Sequence, residues 1–398
     1  MSGFHTAKAI SRRFHGAQLG RSSGNRAIRR QFILRSVIPS SGMLDWYAFL
    51  QRQPLPAASM ENLAELRQRP VLVTGAAGSI GSGVVSRLAH AGVELILLDS
   101  SEAGLYELQP SLPSWGSHTS YLGNVADREL LAEIFARHRP ATVIHTAAFK
   151  HVPMLEEQPL SAIANNVVGT AALADAAVEH GARILLLSTD KAVAPRSVMG
   201  ATKHVAEKIV LASNGVVVRL ANVLGSRGSV SEVFAQQIAA GRPLTVTDSA
   251  AERYFLTLAE AVELLVSAAS SPDRASIIIP LLTRAHRIAD LASFMAKALA
   301  PERNIAIEFT GLRIGEKMSE QLWADDEIAN GDPASGIVRI AAATTARRSI
   351  HHQLQSVKDS LKTRDVKAAL HSLTELVPAY EPSPAVLALA NTSAVLHG

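Results

Sequence analysis

The sequence of 398 residues contains no cysteine. This absence excludes a disulfide framework, a thiolate metal site and a cysteine nucleophile, and it fits a reducing compartment, so we expect a cytoplasmic protein. Long apolar runs are also absent. The best candidates, "ELILLD" and "ARILLLS", are far shorter than the ~18 residues that a membrane-spanning helix needs. The sequence therefore predicts no transmembrane segment, although a hydrophobic fraction of 47% is ample for a buried core.

Acidic residues are missing from residues 1–44. This leader carries eight positive charges, on Lys8, Arg12, Arg13, Arg21, Arg26, Arg29, Arg30 and Arg35. Removing them from the net charge of +4 leaves −4 for residues 45–398, where no basic cluster suggests a nucleic-acid partner. The Arg- and Ser-rich composition is also that of a transit peptide, but we favour a disordered extension or an upstream start codon. The leader lacks the apolar region of a secretory signal.

From residue 70 onwards, apolar segments alternate with Ala-rich helical stretches. The apolar segments are "VLVTG", "ELILLD", "TSYLG", "ATVIHTAA", "ARILLLS" and "GVVVRL". This alternation predicts an α/β fold, a Rossmann-type doubly wound parallel sheet with a smaller C-terminal substrate-binding α/β part. We predict a helical lead-in at 45–69, a dinucleotide-binding domain at 70–225, a substrate-binding part at 226–340 and a helical extension at 341–398, in which "YEPSP" begins a weakly ordered tail.

The turn "TGAAGSIG" lies between the first strand and a helix. Gly75 permits the tight turn, Gly78 lets the backbone approach a pyrophosphate, and Gly81 lets helix and strand pack closely. Ser79 and Ile80 lie at the start of that helix, where free N–H groups favour an anion. A glycine trio alone is a weak signal, because such turns also occur for packing reasons.

Further residues strengthen the prediction of a dinucleotide site. Asp99 ends the second strand, where a carboxylate can accept hydrogen bonds from both ribose hydroxyls and would repel a 2′-phosphate, so we predict NAD rather than NADP. The alternative is that Asp99 only caps the following loop. Residues of "GNVAD" and "HTAA" would let the adenine and nicotinamide lie against the sheet: Asn124, Val125, Ala147 and Ala148.

The order of "TGxxGxxG", "HTAA", "NNVVGT", "STD" and "MGATK" resembles the extended short-chain dehydrogenase/reductase superfamily of nucleotide-sugar enzymes. Longer stretches are similar to the CapD-like polysaccharide biosynthesis proteins, a group that includes UDP-N-acetylglucosamine 4,6-dehydratases. These stretches are "AAFKHVPMLEEQPLSAIANNVVGT", "STDKAVAPRSVMGATK", "RLANVLGSRGSV", "ERYFLT", "FTGLRIGEKMSEQLW" and "LVPAYEP". The resemblance covers residues 70–382.

The sequence departs from that family in several places. Membrane-anchored members carry transmembrane helices ahead of the catalytic domain, so membrane association is not inferred from the resemblance. Asn124 stands where an aspartate is common, and Glu252 replaces a usual threonine before "RYF". Four residues before Lys203, Met199 occupies the position of a tyrosine that exchanges a proton in many nicotinamide enzymes, and a thioether can neither give nor take a proton.

The resemblance implies a reaction and a set of roles. A 4,6-dehydratase moves hydride from C4 of the sugar to NAD⁺, removes the C5 proton, expels the 6-hydroxyl as water and returns the hydride to C6. By resemblance Lys191 is the base at C5, Asp190 is the acid for the leaving hydroxyl, and Thr189 lies beside them. Lys203 contacts the nicotinamide ribose, and Met199 contacts the sugar. A surface salt bridge is the alternative reading of Asp190 and Lys191.

Other residues are assigned to ligands by the same resemblance. Lys150 and Asn166 belong to the cofactor site. Asn222 holds a sugar or phosphate oxygen, while Arg253 and Arg313 hold the diphosphate, for which a bidentate guanidinium is suited.

Glu316 of "GLRIGEK" belongs to the substrate-binding loop, where we expect an ion pair with Lys317. His145 and His151 have no second histidine at metal-ligand spacing with carboxylates alongside, so we expect structural roles and no metal site. The expected partners are a UDP-sugar and further copies of the chain in a homo-oligomer.

The leading hypothesis is an NAD-dependent UDP-N-acetylhexosamine 4,6-dehydratase. A UDP-sugar 4-epimerase and a dehydratase coupled to 5-epimerisation remain open, because both share the first hydride step. A non-catalytic NAD-binding sensor or scaffold is a third alternative, for which Met199 is the natural argument. The presence of Thr189, Asp190, Lys191 and Lys203 together argues against it.

Overall fold

The computed structural model describes residues 44–341 and 346–393, so the predicted basic leader lies outside it apart from Leu44. The strands of the described residues are β1 Val71–Thr74, β2 Leu95–Asp99, β3 His118–Leu122, β4 Thr142–His145, β5 Arg183–Thr189, β6 Val216–Leu220, β7 Asn222–Leu224, β8 Leu244–Val246, β9 Glu252–Arg253, β10 Phe255–Thr257, β11 Ser276–Pro280, β12 His286–Arg287, β13 Ile307–Phe309, β14 Ala329–Asp332 and β15 Ile337–Ala341.

The α-helices of the same residues are α1 Trp46–Leu50, α2 Met60–Leu66, α3 Ser79–His90, α4 Glu102–Leu108, α5 Arg128–His138, α6 Val152–Glu157, α7 Pro159–Ala162, α8 Thr170–Glu179, α9 Val198–Ala212, α10 Val230–Ala239, α11 Leu258–Ser270, α12 Ile288–Leu299, α13 Arg347–Thr363, α14 Val366–Leu376 and α15 Pro384–Ser393. A π-helical segment, Ile163–Gly169, joins α7 to α8. Within the described residues, no helix is long and apolar enough to cross a membrane.

A nine-stranded sheet carries the fold, in the order β14-β15-β11-β6-β5-β4-β1-β2-β3. Strands β1 to β6 and β11 pair in parallel, while β15 and β14 add antiparallel pairs at one edge. The chain runs from β1 outward to β3 and then crosses to β4 beside β1, so the strand order reverses between β1 and β4. This is the doubly wound arrangement that the alternating segments predict, and ligands bind at such a reversal.

Helices cover both faces of the sheet, which explains why its strands are apolar throughout. On one face α3 and α2 pack against α11. Gly83 permits this approach, because a Cβ there would lie 2.6 Å from Val262 Cγ2. On the other face α8 packs between α5 and α9. Three strands of the sheet, β11, β14 and β15, come from residues after the predicted boundary at 225. The two predicted parts therefore share one sheet, although residues of the second part such as Phe234, Phe255 and Leu291 pack in a separate hydrophobic cluster.

The C-terminal helices pack back onto the second of these faces. Helices α13 and α14 contact α9, and α15 contacts α6. The prediction of a weakly ordered tail at "YEPSP" is wrong. Tyr380 is buried, and Ser383 Oγ donates to Glu156 Oε2 at 2.7 Å, while Glu156 Oε1 accepts from the Val198 N–H at 2.7 Å. The described part of this tail, up to residue 393, packs on the fold, and its Ser383 satisfies a buried carboxylate beside the start of α9.

A buried ion cluster ties β5, β6 and α9 together beneath the end of β5. Arg219 donates to both oxygens of Glu207 and to both oxygens of Glu327, at distances of 2.7 to 3.1 Å. Ser188 Oγ also donates to Glu207 Oε1 at 2.5 Å. Burial alone would raise the pKa of Glu207, but the Arg219 guanidinium outweighs it and lowers this pKa. The cluster therefore fixes the strand that carries Thr189.

We expect Arg219→Ala to lower the free energy of unfolding by about 3–5 kcal/mol, because it leaves a buried carboxylate without its partner. Urea denaturation followed by circular dichroism measures the change. Arg287→Ala is the matched control, since Arg287 pairs with Asp290 at 2.9 Å on the surface and should change stability little. Equal stability of the two variants would contradict this account of the cluster.

Candidate active site

A cleft of about 850 Å³ opens where the parallel strands end. Its walls include residues at the carboxyl ends of β1, β2, β5 and β6, together with the turn before α3. Most of the predicted cofactor and catalytic residues lie on it. They are Gly75, Gly78, Ser79, Ile80, Gly81, Asp99, Asn124, Val125, Ala147, Ala148, Lys150, Thr189, Lys191, Met199 and Lys203. The cleft therefore coincides with the reversal of strand order.

The glycine-rich turn has the geometry that its sequence predicts. Gly75 has φ +67, and a Cβ there would lie 2.5 Å from the Ala147 nitrogen. A Cβ at Gly81 would collide with the carbonyl oxygen of Gly75, so α3 starts directly against the turn. The residue before α3, Gly78, has no side chain to cap the helix, and the first N–H groups of α3 are left facing the cleft. Such an end suits an anionic group.

Asp99 holds the glycine-rich turn and also caps the loop after β2. Its Oδ2 accepts from the Ala77 N–H at 2.9 Å, and its Oδ1 accepts from the Ser101 N–H at 2.9 Å. Asp99 can therefore cap this loop and also bind a ribose hydroxyl, because each carboxylate oxygen has a second lone pair. Asn124 turns its Oδ1 to the Ala126 N–H at 2.8 Å, beside the same end of the cleft.

Asn166 lies behind the cleft wall. Its Oδ1 accepts from the Phe149 N–H at 2.8 Å, and its Nδ2 donates to the Phe149 carbonyl at 3.0 Å and to Thr202 Oγ1 at 3.1 Å. The buried amide thus positions the backbone beside Lys150. The neighbouring Asn165 lines the cleft instead. Both asparagines belong to the π-helical segment, which turns Asn166 towards the protein interior and Asn165 towards the cleft. Such π-helical turns are frequent at functional sites.

The loop after β7, which contains Arg227 and Gly228, packs over the turn before α3, a contact that no sequence motif predicted. The Arg227 N–H donates to Ser79 Oγ at 2.9 Å, and the Arg227 guanidinium donates to the Ala77 carbonyl. Lys150 Nζ donates to the Arg227 carbonyl at 2.6 Å. Gly228 has φ +71 and packs on His151, whose Cε1 would lie 2.5 Å from a Cβ. Two cations therefore lie beside the uncapped helix end.

At the other end of the cleft, β5 ends in an acid and base pair, in which Asp190 is buried and Lys191 is partly exposed. Lys191 Nζ lies 3.0 Å from both Asp190 Oδ1 and Asn222 Oδ1, and 3.6 Å from Glu320 Oε1. Thr189 Oγ1 donates to Asp190 Oδ1 at 2.9 Å. Burial alone would lower the pKa of Lys191, but the carboxylates of Asp190 and Glu320 outweigh it and raise this pKa. The alternative of a surface salt bridge is wrong, because Asp190 is 0% exposed.

Met199 and Lys203 lie one helical turn apart on α9 and line the cleft. Lys203 Nζ donates to the Leu187 carbonyl at 2.7 Å. Burial lowers the pKa of Lys203 to about 8, with a smaller opposing effect of Glu207. Lys203 therefore brings to the wall of the cleft an amino group whose pKa lies close to neutral pH.

The predicted diphosphate ligands lie away from the cleft lining. Arg253 is buried and donates to the carbonyls of Lys317 at 2.7 Å and Met318 at 3.0 Å. Arg313 is exposed, 4.0 Å from Glu316. The expected ion pair of Glu316 and Lys317 is wrong: Lys317 Nζ lies 3.3 Å from Glu320 and donates to the Val193 carbonyl at 2.8 Å. Contact of either arginine with a diphosphate stays a prediction.

Of the two histidines considered for metal binding, His145 is held by two threonines, and His151 packs against Gly228. His145 is buried between Thr74 Oγ1 at 2.7 Å and Thr170 Oγ1 at 3.0 Å. Burial, followed by the charge of Lys203, lowers the pKa of His145 to about 3, so it stays neutral. The described residues contain no group of three or more His, Cys, Asp or Glu that could hold a metal ion.

Comparison with known proteins shows what kind of protein has this site. A family model described as polysaccharide biosynthesis protein matches residues 71–342. The chain belongs to the polysaccharide biosynthesis protein family. The capsular polysaccharide biosynthesis protein CapD of Staphylococcus aureus is 37% identical over 278 residues, which are 66% of this chain and 46% of CapD. The resemblance to CapD-like proteins is therefore confirmed.

Other relatives of this family member bear on its fold and chemistry. The probable polysaccharide biosynthesis protein EpsC of Bacillus subtilis is 38% identical over 292 residues, 70% of this chain and 49% of EpsC. The chain thus spans about half the length of the curated relatives EpsC and CapD. A UDP-glucose 4-epimerase of Rickettsia rickettsii is 32% identical over 289 residues, 68% of this chain and 82% of the epimerase.

A solved structure supports the same fold for this polysaccharide biosynthesis protein. Pen from Bacillus thuringiensis superposes with a TM-score of 0.66 at 27% sequence identity, covering 71% of this chain and 92% of Pen. The predicted Rossmann-type α/β fold is confirmed.

The buried lysine of this family member gives a pH-dependent prediction. Lys203→Met should raise the free energy of unfolding at pH 7 by roughly 1–3 kcal/mol, because the folded protein must hold a desolvated charge whose pKa is depressed. The gain should shrink as the pH rises from about 8 towards the ordinary lysine pKa of ~10.4, since the unfolded chain then also loses its proton. Urea titrations between pH 7 and 10.5 measure it.

Lys208→Met on the same helix is the comparison, because Lys208 Nζ also donates to a carbonyl, that of Leu376, at 2.7 Å. Burial lowers the pKa of Lys208 too, but the side chain is only half-buried, so we expect a smaller gain. A gain for Lys203→Met that did not change with pH would contradict the depressed pKa.

Proposed function

We propose that this protein is an NAD-dependent nucleotide-sugar 4,6-dehydratase, acting on UDP-N-acetylglucosamine to form UDP-2-acetamido-2,6-dideoxy-4-ketohexose for glycan synthesis. The observation that carries the proposal is the Asp190 and Lys191 pair, 3.0 Å apart at the end of β5: Lys191 lines the same cleft as the glycine-rich turn, and Asp190 is fully buried directly behind it. A lyase that removes water needs an acid and a base held close together.

The residues around the glycine-rich turn fit a dinucleotide. Gly75 and Gly81 let the turn pack closely against the sheet, Gly78 lets a phosphate group approach the backbone, and the uncapped start of α3 attracts its charge. Lys150 and Arg227 add positive charge beside it. Asp99 favours NAD, because a 2′-phosphate would be repelled. When bound, NAD supplies the acceptor and later the donor of a hydride.

The chain's own residues would handle the protons. In the free protein Lys191 is an ammonium group beside an Asp190 carboxylate. Transfer of one proton across these 3.0 Å gives an amine that can remove the C5 proton and an acid that can protonate the leaving 6-hydroxyl. Thr189 and Asn222 would orient this pair, and the proton released from O4 as hydride leaves C4 would pass through the Thr189 hydroxyl to water. Lys203 would favour negative charge that develops near the nicotinamide ribose.

The test is mass spectrometry of the purified protein incubated with UDP-N-acetylglucosamine in heavy water. We expect a product that has lost one water and carries deuterium at C5, because the C5 proton is removed and replaced. A product of unchanged mass without deuterium would instead indicate a 4-epimerase, the activity after which the Rickettsia relative is named. For product formed in ordinary water, a nuclear Overhauser effect between H3 and H5 would show whether C5 keeps its configuration, because these two protons lie on the same face of the ring only if C5 is not inverted.

Met199 gives a second test of the proposal. Met199→Leu keeps bulk without a proton site, so we expect turnover to stay within several-fold of the original protein. Asp190→Asn and Lys191→Ala should lose ~10²–10⁴-fold, as expected for a general acid or base. Equal losses in all three variants would contradict the role given to the pair. Absence of turnover with every UDP-hexose tried, while NAD still binds in calorimetry, would favour a non-catalytic sensor or scaffold.

A further inference from the structure

Glu320 is a buried carboxylate that reaches the reaction end of the cleft from a distant part of the sequence. It is 5% exposed, and its Oε1 lies 3.6 Å from Lys191 Nζ and 3.9 Å from Arg253 Nε. Its Oε2 lies 3.3 Å from Lys317 Nζ, yet this oxygen makes no hydrogen bond to any residue of the described part of the chain. Glu320 is therefore held mainly by three surrounding cations.

Lys191 faces a second buried carboxylate from its own turn. Asp190 Oδ1 accepts from Lys191 Nζ at 3.0 Å, whereas Asp190 Oδ2 has no hydrogen-bond partner among residues 44–341 and 346–393. One ammonium group thus lies between two carboxylates, each with a spare oxygen. An opposite charge this close favours the charged form of an ionisable group by roughly 1–3 pK units.

The other groups around Lys191 do not stabilise its ammonium form in this way. Arg253 of β9 is itself positive and disfavours a charge on Lys191, and Asn222 of β7 is a neutral hydrogen-bond acceptor. Lys317 is directed to the Val193 carbonyl as well as to Glu320. His204 of α9 contacts the same turn through the Ala192 carbonyl at 3.0 Å, but burial lowers its pKa and leaves it neutral. Besides Asp190, Glu320 is the carboxylate within 4 Å of Lys191 Nζ in the described residues.

We propose that Glu320 is a positioning residue for Lys191, which keeps this lysine in its ammonium form beside Asp190 in the free protein. The proposal rests on the proposed function only in treating Lys191 as the reacting base. Its consequence is that a loop of the C-terminal part sets the pH at which the base becomes available. A purely structural Glu320 would change stability or overall rate without changing that pH.

The test measures the protonation of Lys191 without turnover. The full chain is labelled briefly with acetic anhydride at pH values from 7 to 11.5, and mass spectrometry gives the labelling rate of the peptide containing Lys191, whose side chain is 25% exposed. Only the neutral amine reacts. For Glu320→Gln we expect the midpoint to fall by roughly 1 pH unit or more, which makes labelling at pH 8 about tenfold faster.

Three variants show whether an effect of Glu320→Gln comes from this particular charge, from any lost charge or from a disturbed fold. Asp325→Asn removes an exposed carboxylate from the same segment and should leave the midpoint unchanged. Glu320→Asp keeps the charge and should restore most of the original midpoint. Since Glu320→Gln leaves Lys317 short of a partner, the double variant Lys317→Met with Glu320→Gln removes the buried pair together, which proteins often tolerate. Its midpoint should fall as well.

An unchanged midpoint in Glu320→Gln or in the double variant would overturn the proposal, and so would an equal fall in Asp325→Asn. Because labelling needs no substrate, these outcomes stand even if no UDP-sugar is turned over. If the dehydratase activity is present, the rising limb of its pH–rate profile should move to lower pH in Glu320→Gln by the same amount. A lower rate without that movement would also overturn the proposal.

Discussion

The close contact between α3 and the turn after β1 is the constraint on which the cofactor end of the cleft depends. Gly81 has no room for a side chain against the Gly75 carbonyl, so the helix begins at the sheet. Thr146 Oγ1 donates to the Gly75 carbonyl at 3.1 Å and fixes the turn from the next strand. The first N–H groups of α3 consequently point into the gap between β1 and β4. Arg227 and Asp99 then attach to the same turn from two other loops.

At the opposite end of the cleft the structure depends on desolvated cations. The partners of each cation determine whether it stabilises the fold or is available for chemistry. Arg219 has two carboxylates that satisfy its guanidinium, which makes it a structural element. Lys203 has a carbonyl partner and a depressed pKa, so its charge destabilises the fold. Lys191 lies between two carboxylates and has a raised pKa. Desolvation acts on all three cations, and the number of adjacent carboxylates changes the result. Such unbalanced charges are expected where function competes with stability.

The methionine on α9 is consistent with proton-exchanging groups that lie at the end of β5 rather than on this helix. Met199 fills the wall of the cleft with a side chain that cannot exchange protons, while Thr189, Asp190 and Lys191 supply several groups that can. Under the proposed function, residues at the end of β5 carry out the proton transfer that a helix tyrosine performs in many nicotinamide enzymes. The adjacent ion cluster at Glu207 keeps that strand end in place through Ser188.

The sequence by itself determined the parallel sheet, the glycine-rich turn and the grouping of Asp190 with Lys191, because each depends on neighbours within a few residues: apolar runs, a missing Cβ, or the end of a strand. It did not determine the role of Glu320, the closing of Arg227 over the turn, or the burial of Arg253. These depend on how loops far apart in the sequence meet, and no local pattern records which carbonyl or cation a side chain will find. Only the tertiary structure decided them, because these contacts form only when distant loops come together, and burial then favours a partner for most polar groups.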